Sequence, residues 1–274
     1  TGWGRAIKAT SDIARPERQA ALEGAKPAPA MGNRRSYGDA GLNDGGAVYD
    51  MSRLDRFLGF DGKTGHLRAE AGVTIGSMAR VFAPKGWLPP VMPGTGFATL
   101  GGAIAMDVHG KNHHHAGSFG QHLVDITLVQ NGTRRRITPR DRGLWQATIG
   151  GLGQTGLIVE ATLALAPCPG SAMQVTERRA DGWDEHLSLL AESRAPFCVG
   201  WIDATARGGS LGRGIVEEAD VVPADAPKAG KPKKVPVTAP GFALSRPVVT
   251  AFNALYERRV PAGGRTVVRT FEDF

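Results

Sequence analysis

Four histidines crowd into residues 109–115, at His109, His113, His114 and His115, with Lys111 among them. Histidine is the side chain whose ordinary pKa suits proton transfer near neutral pH, and a lysine beside it can steady an alkoxide or a phosphate. Metal binding is the other chemistry such a run suggests. A zinc site needs a closed set of oriented ligands, however, and three consecutive histidines cannot all face one point. No Cys, Asp or Glu follows at a suitable spacing, so no metal is expected. His114 and His115 read as ordinary satisfied polar residues. His109 differs, because it follows an apolar, strand-like run and precedes the turn signal Gly110-Lys111-Asn112. His109 and Lys111 are therefore the catalytic candidates, with Tyr37 as a hydrogen-bonding partner.

The 38 glycines gather in clusters, which places backbone close against a ligand. In Met31-Gly32-Asn33-Arg34-Arg35-Ser36-Tyr37-Gly38-Asp39 several N–H groups can converge on an anion while two guanidinium groups balance its charge, and a diphosphate fits that description. A basic surface turn is the plainer alternative. The second cluster, Pro93 to Ala105, is apolar and carries no acid or base, so it suits either a flat ring pressed against the main chain or a tight buried turn. The third, Gly151-Leu152-Gly153-Gln154-Thr155-Gly156, satisfies GxGxxG literally, but that motif binds dinucleotides where it opens a helix. Here the alternating, β-branched Leu157 to Leu163 follows, which predicts a strand and excludes the Rossmann reading.

These clusters need elements to hold them. Residues 46–51 and 66–71 read as strands, and Ile75, Met78, Ala79 and Phe82 fall on one helical face between a Thr74 cap and a Pro84/Gly86 stop. Asn131-Gly132 between Leu123–Val129 and Arg134–Thr138 predicts a hairpin with a type I′ turn. The texture changes near residues 167–172; beyond it, Trp183 to Leu190 and Val248 to Arg259 read as helices and Phe197 to Asp203 as a strand. Residues 222–240 hold Lys228, Lys231, Lys233 and Lys234 among prolines and predict a mobile surface loop. Cys168 and Cys198 indicate neither a disulfide framework nor a zinc site, and a reducing compartment follows by default. No apolar run approaches the length of a spanning helix. The net charge of +7 favours polyanions, phosphorylated substrates or anionic membrane surfaces without choosing among them.

Arg35-Ser36-Tyr37-Gly38-Asp39, Pro93-Gly94-Thr95, Leu100 to Ala105, Asp107 to His114 and Ala116 to Gly120, in this order and spacing, resemble the vanillyl-alcohol-oxidase-type (PCMH-type) FAD-binding fold. More narrowly, the chain resembles the decaprenylphosphoryl-ribose 2′-oxidases, with specific motifs from Trp3 to about Leu165 and a weaker match to Phe274. The resemblance implies an α+β protein with an FAD-binding domain over residues 1–170 and an incomplete substrate-binding domain over 171–274. It implies that Gly32, Asn33, Arg34, Arg35, Ser36, Tyr37, Gly38, Asp39 and Ala40 hold the FAD diphosphate. Pro93, Gly94, Thr95, Thr99, Leu100, Gly101, Gly102, Met106, Asp107 and His109 would line the rest of the cofactor, with Gly156 and Ile158 close by.

Relatives that attach the flavin covalently carry a histidine just after the Arg-Ser-x-Gly core, where this chain has Asp39, so the FAD is expected to be non-covalent. Family members also continue past Phe274 with a lysine beside the flavin, which shares the proton-transfer task assigned to His109. The reaction implied is oxidation of the ribose C2 hydroxyl of a polyprenyl-phosphate sugar to a ketone, with hydride passing to flavin. Sugar-alcohol or aldonolactone oxidation and a non-catalytic flavin module are the alternatives. The partners implied are that phosphorylated sugar, a reductase acting on the keto product, and a membrane surface met peripherally through loop 222–240 of a cytoplasmic protein. Nucleic acid is not among them.

Overall fold

The computed structural model describes residues 1–227, 240–271 and 273–274. The chain divides into two units, Thr1–Cys168 and Pro169–Phe274. In chain order the first holds β1 (Asp12–Ala14), β2 (Ala30–Met31), β3 (Ala47–Asp50), β4 (Phe57–Asp61), β5 (His66–Glu70), α1 (Ile75–Phe82), β6 (Trp87–Leu88), α2 (Leu100–Ala105), α3 (His113–Ala116), β7 (Leu123–Gln130), β8 (Thr133–Ile137), α4 (Arg142–Thr148), β9 (Leu157–Ala164) and β10 (Ala166–Pro167). A small parallel sheet runs β1-β3-β2, and a larger antiparallel one runs β4-β5-β9-β7-β8.

Local chemistry explains most of these elements. The Thr74 hydroxyl accepts from the Ser77 N–H and starts α1, whose buried face is Ile75, Met78, Ala79 and Phe82. Gly86, in the left-handed region, ends the turn that follows it. Asn131 and Gly132 take φ of 48° and 74°, the pair of positive angles that the tight hairpin between β7 and β8 requires. One face of the larger sheet packs Leu67, Ala69, Ile126, Leu128, Ala161 and Leu163 against α1 and α2. The third glycine cluster is a turn, and β9 follows it directly, as the alternation of residues 157–163 predicts.

The apolar run before His109 is helical, not strand-like. Thr99 caps α2 by accepting from the Gly102 N–H, and Ile104 is the single β-branched residue among small ones. Small residues let the helix backbone settle on the end of β5: Gly101 donates to Ala71 O at 2.8 Å and Leu100 to Val73 O at 2.8 Å. Tertiary contact decides the local conformation here. The expected loop 222–240 falls largely outside the described residues; Val222 itself ends a strand.

The second unit is built on β11 (Ala172–Ala180), α5 (Trp183–Glu192), β12 (Phe197–Ile202), β13 (Gly214–Val222), α6 (Arg246–Arg258) and β14 (Arg265–Arg269). Its antiparallel sheet runs β12-β13-β11-β14. Register puts Glu177 of β11 opposite both Glu217 of β13 and Arg265 of β14. A buried carboxylate beside a half-buried one would repel it, and three arginines resolve it. Arg259 and Arg269 each donate to Glu177 Oε1 at 2.6 Å, Arg265 bonds its other oxygen, and the same Arg259 and Arg269 reach Glu217 at 3.0 and 3.2 Å. Burial pushes the Glu177 carboxyl up, but the hydrogen bonds and charge of its arginine partners outweigh it and hold it at about 2.

A carboxyl depressed on folding contributes stability that is full above its unfolded value and is lost as pH falls through the folded one. The second unit is therefore expected to weaken between about pH 4.5 and pH 2, by roughly 3 kcal/mol from this group. Glu177→Gln removes the charge that three half-buried arginines share, two of which keep Glu217, and is expected to cost roughly 1–3 kcal/mol at pH 7. Urea unfolding followed by tryptophan fluorescence at pH 7 and pH 3 checks both. A variant that keeps the wild-type slope of stability against pH would show that Glu177 is not the group responsible.

Candidate functional site

The loop after β2 is held by side chains while its backbone donors stay open. Among the described residues, the N–H groups of Asn33 through Gly38 donate no hydrogen bond within the chain. Arg34 adopts φ 55° and turns the loop, and its guanidinium lies 3.6 Å from Asp50, which also holds Arg15 at 2.8 Å. Burial pushes the Asp50 carboxyl up, but hydrogen bonds from Ser52 and Arg15 bring it below its ordinary value, so the anchor stays charged. Arg35 is sandwiched between the Trp3 ring at 4.7 Å and the Phe97 ring at 4.9 Å, and its buried Nε has no partner among the described residues. A row of open N–H groups beside two guanidinium groups has the donors and charge to receive an anion such as a diphosphate.

The second cluster is brought onto this loop. Asn33 Nδ2 donates to Phe97 O at 3.0 Å, and a Cβ on Gly32 would lie 2.3 Å from the Thr99 hydroxyl oxygen. The N–H groups of Gly94, Thr95 and Gly96 likewise donate to no described residue. The two glycines of α2 play different parts. A Cβ on Gly101 would meet Ala71 at 3.0 Å, so Gly101 serves the packing of α2 on β5. On Gly102 it would meet the Thr99 hydroxyl alone, at 3.1 Å, with open space beyond.

The histidine segment and the third cluster meet the other end of α2. Gly150 donates to Ile104 O at 3.0 Å and Leu152 to Ala105 O at 2.9 Å, while Asp107 (φ 41°) accepts from the Gly120 N–H at 2.8 Å. His109 is exposed, bridges Ser118 through the backbone, and lies 5.8 Å from the His113 ring. Gly110 sits so close to Met92 that a Cβ would approach its carbonyl at 2.2 Å, and Asn112 donates to Pro90 O at 2.7 Å. His113, His114 and His115 are exposed on the single turn of α3. Among the described residues no group of three metal-ligating side chains is placed to hold an ion.

Tyr37 is 77% exposed, and neither a hydrogen bond nor a ring contact joins it to His109. Leu100 and Ile158 point into the core, so they offer a ligand only their backbone. A cleft of about 310 Å³ unites Ala40 at the end of the first loop with Gly153 to Gly156 of the third cluster and Asn131 of the hairpin turn. Gly156, at φ 142°, is pressed against Val129 and Gln130.

The exposed large apolar side chains of this unit include Trp3, Tyr37, Phe97, Met106 and Leu152, all in or beside these loops. Apolar walls of that kind suit flat rings, and the anion nest suits the diphosphate that joins them, so the residues present fit FAD. Sequence reasoning missed Trp3 and Phe97; the available signal was an aromatic residue set beside glycine, in Gly2-Trp3-Gly4 and Gly96-Phe97.

Comparison with known proteins bears on the same segment. Residues 11–138 match the family model described as FAD binding domain. The chain is 36% identical over 239 residues to the decaprenylphosphoryl-beta-D-ribose oxidase of Mycolicibacterium smegmatis, covering 82% of this chain and 52% of that protein. It is 27% identical to a D-lactate dehydrogenase of Anaerostipes hadrus, over 48% of this chain and 29% of that one. Among solved structures, an alkyldihydroxyacetonephosphate synthase superposes with a TM-score of 0.61 at 17% identity, over 70% of this chain and 39% of the other, which is a likeness of fold. The chain spans about half the length, or less, of the curated relatives it matches.

The two glycines of α2 allow a separation of folding from binding. Gly101→Val is expected to destabilise the first unit by on the order of 1–3 kcal/mol through overpacking. Gly102→Val is expected to leave the far-UV spectrum and melting temperature nearly unchanged while weakening flavin binding at least roughly tenfold, about 1.4 kcal/mol. Thermal melts with flavin-fluorescence titrations measure both. Undiminished flavin affinity in a folded Gly102→Val protein would make the second cluster a turn and nothing more.

Proposed function

We propose that this protein, whose residues 11–138 match an FAD binding domain and whose cofactor is FAD, is an oxidoreductase that oxidises a secondary hydroxyl of a phosphorylated sugar to a ketone. The substrate we assign is a polyprenylphosphoryl ribose, oxidised at C2. The observation that carries the reading is the row of open N–H groups from Asn33 to Gly38, lying beside the Trp3–Arg35–Phe97 stack. The similarity to the Mycolicibacterium ribose oxidase supports the choice of substrate.

When bound, FAD supplies the hydride acceptor. The chain's own residues bind, orient and handle the proton. Asn33 to Gly38, with Arg34 and Arg35, hold the diphosphate, and Gly94 to Gly96 with Gly102 border the ring system. As hydride leaves carbon, the hydroxyl proton passes to a ring nitrogen of His109, and Lys111 steadies the oxygen or the sugar phosphate. Asp39 stands where a covalent histidyl link would need a histidine, so the cofactor is held by these contacts alone. A reductase that consumes the ketone is the partner this reading implies.

Two measurements test it. Acid precipitation of the purified protein should release the yellow flavin into the supernatant; colour left in the pellet would refute non-covalent binding. Anaerobic addition of a polyprenylphosphoryl ribose should bleach the absorbance near about 450 nm, which is the cofactor's own band. His109→Gln should slow that bleaching by on the order of 10²–10⁴-fold at unchanged flavin content. A rate equal to wild type would remove His109 from the proton-transfer role.

A further inference from the structure

The second unit contains a single histidine, His186, and the fold buries it completely. It is the one residue that α5 buries; Leu189 and Leu190 are half-buried and the rest of the helix is exposed. Two glycines make the seat for its ring. A Cβ on Gly200 of β12 would lie 2.4 Å from Nε2, and one on Gly214 of β13 would lie 3.0 Å from Cε1, so the imidazole itself fills the space between the helix and these strands. One turn back, the Trp183 ring meets it edge-on at 6.3 Å. An aliphatic side chain would ordinarily hold such a position. Imidazole brings two polar nitrogens, and neither has a hydrogen-bond partner among the described residues. That arrangement is costly for the neutral ring and far more costly for the charged one. Burial pushes the imidazole below its ordinary value, and the Gly212 backbone, which favours the charged form, offsets only part of that.

No neighbouring carboxylate is placed to take up a new charge on the ring. By alternation Arg178 of β11, Cys198 of β12 and Glu218 of β13 share the side of the sheet that His186 meets, and Glu218 is already paired with Arg178. Glu177, Arg179 and Glu217 alternate to the opposite side. In the connection from β12 to β13, Asp203 is bonded to Arg213 and Arg207 is exposed. On α5 itself Asp184, Glu185 and Glu192 are exposed; Glu185 accepts from the Asp181 N–H at 2.8 Å and Glu192 from the Ser188 hydroxyl at 2.7 Å. A proton on the ring would therefore place an unpaired charge in the layer between helix and sheet.

We propose that His186 is a pH-sensitive latch: while its ring is neutral it seats α5 on β12 and β13, and when the ring takes up a proton from solvent the helix leaves that seat. The inference concerns the second unit alone and is independent of the flavin reading. A histidine depressed on folding contributes stability that is full above its ordinary value of 6.5 and is lost as pH falls below it towards the folded value. Glu177, Asp203 and Glu218 are held below the usual carboxylate range, so they stay charged through this window.

Hydrogen exchange of the chain at about pH 7.5 and about pH 5.5, corrected for the intrinsic pH dependence of exchange, tests the latch. Amides of α5 are expected to lose protection by up to about tenfold at the lower pH, the limit that one proton sets over one pH unit, while those of β11 and β13 keep theirs. His186→Leu, which occupies the seat without a titratable group, should remove the difference between the two pH values. Equal protection of α5 at both pH values, an equal loss in His186→Leu, or a loss shared by β11 and β13 would overturn the proposal. The wild-type ring gives a check that does not require the variant to fold. Its Cε1–H resonance should titrate with a midpoint below 6.5, and a midpoint at or above 6.5 would equally overturn it.

Discussion

The first unit depends on one close approach, that of Gly32 to Thr99. A methyl group on Gly32 would overlap the threonine hydroxyl, so the loop after β2 reaches α2 only because no side chain intervenes. Thr99 has a second task at the same time, since its hydroxyl caps α2 through the Gly102 N–H. The residue that starts the helix is thus the residue on which the anion loop rests. Asn33 extends the junction to the Phe97 carbonyl, and Arg35 closes it from above by stacking on the Phe97 ring. At its far end α2 receives Gly150 and Leu152 on its last carbonyls. Six residues of helix therefore set the spacing of all three glycine clusters.

The second unit solves a different problem by a related device. Its sheet places Glu177 beside Glu217 in register, and its helix buries Asn253 and Glu257 where aliphatic residues would ordinarily pack. Buried charges are weak evidence of stability, since desolvation offsets much of the attraction. Their arrangement does impose specificity. Arg259 can satisfy Glu177 and Glu217 together only if the end of α6 lies over β11 and β13, and Asn253 can reach Asp203 only if the helix is turned with its polar side inward. The hydrogen bonds orient α6, and the exposure of its apolar Phe252 and Leu255 follows from that orientation.

Legibility in the sequence divides along the same line. Thr74 and the Asn131-Gly132 pair announce themselves because cap and turn chemistry act over three or four residues. The strand after the third cluster was readable because alternation continues through Leu163. The helix over residues 100–105 was not, since six residues of which four are Gly or Ala have little periodicity and their conformation is decided by Ala71 and Val73, some thirty positions earlier in the chain. For α6 the periodicity marked a helix correctly but gave no sign that its polar side would be buried; the partners responsible, Arg179 and Asp203, lie far away in sequence. At the site, the composition of residues 32–40 suggested an anion cradle, and the fold leaves the N–H groups of Asn33 to Gly38 without a partner among the described residues. The Trp3–Arg35–Phe97 stack was not legible, because it joins three segments that only the fold brings together.

That stack also explains how the cradle can remain open. A loop rich in N–H donors would ordinarily satisfy them internally, because unpaired backbone donors are costly once water is excluded. Here the holding forces are of kinds that use no backbone donor of the loop. Arg35 is fixed by ring faces, Arg34 by the Asp50 carboxylate, Asn33 by a side-chain bond to Phe97, and the Ser36 carbonyl accepts from the Trp3 N–H. Each contact fixes the loop's position, and none uses an N–H between Asn33 and Gly38. The serine, tyrosine and glycine of the loop are exposed, so water can serve those donors. A loop held by its side chains and by one carbonyl can keep its shape with or without ligand, and the ordering cost of binding is then met largely by folding rather than by the ligand.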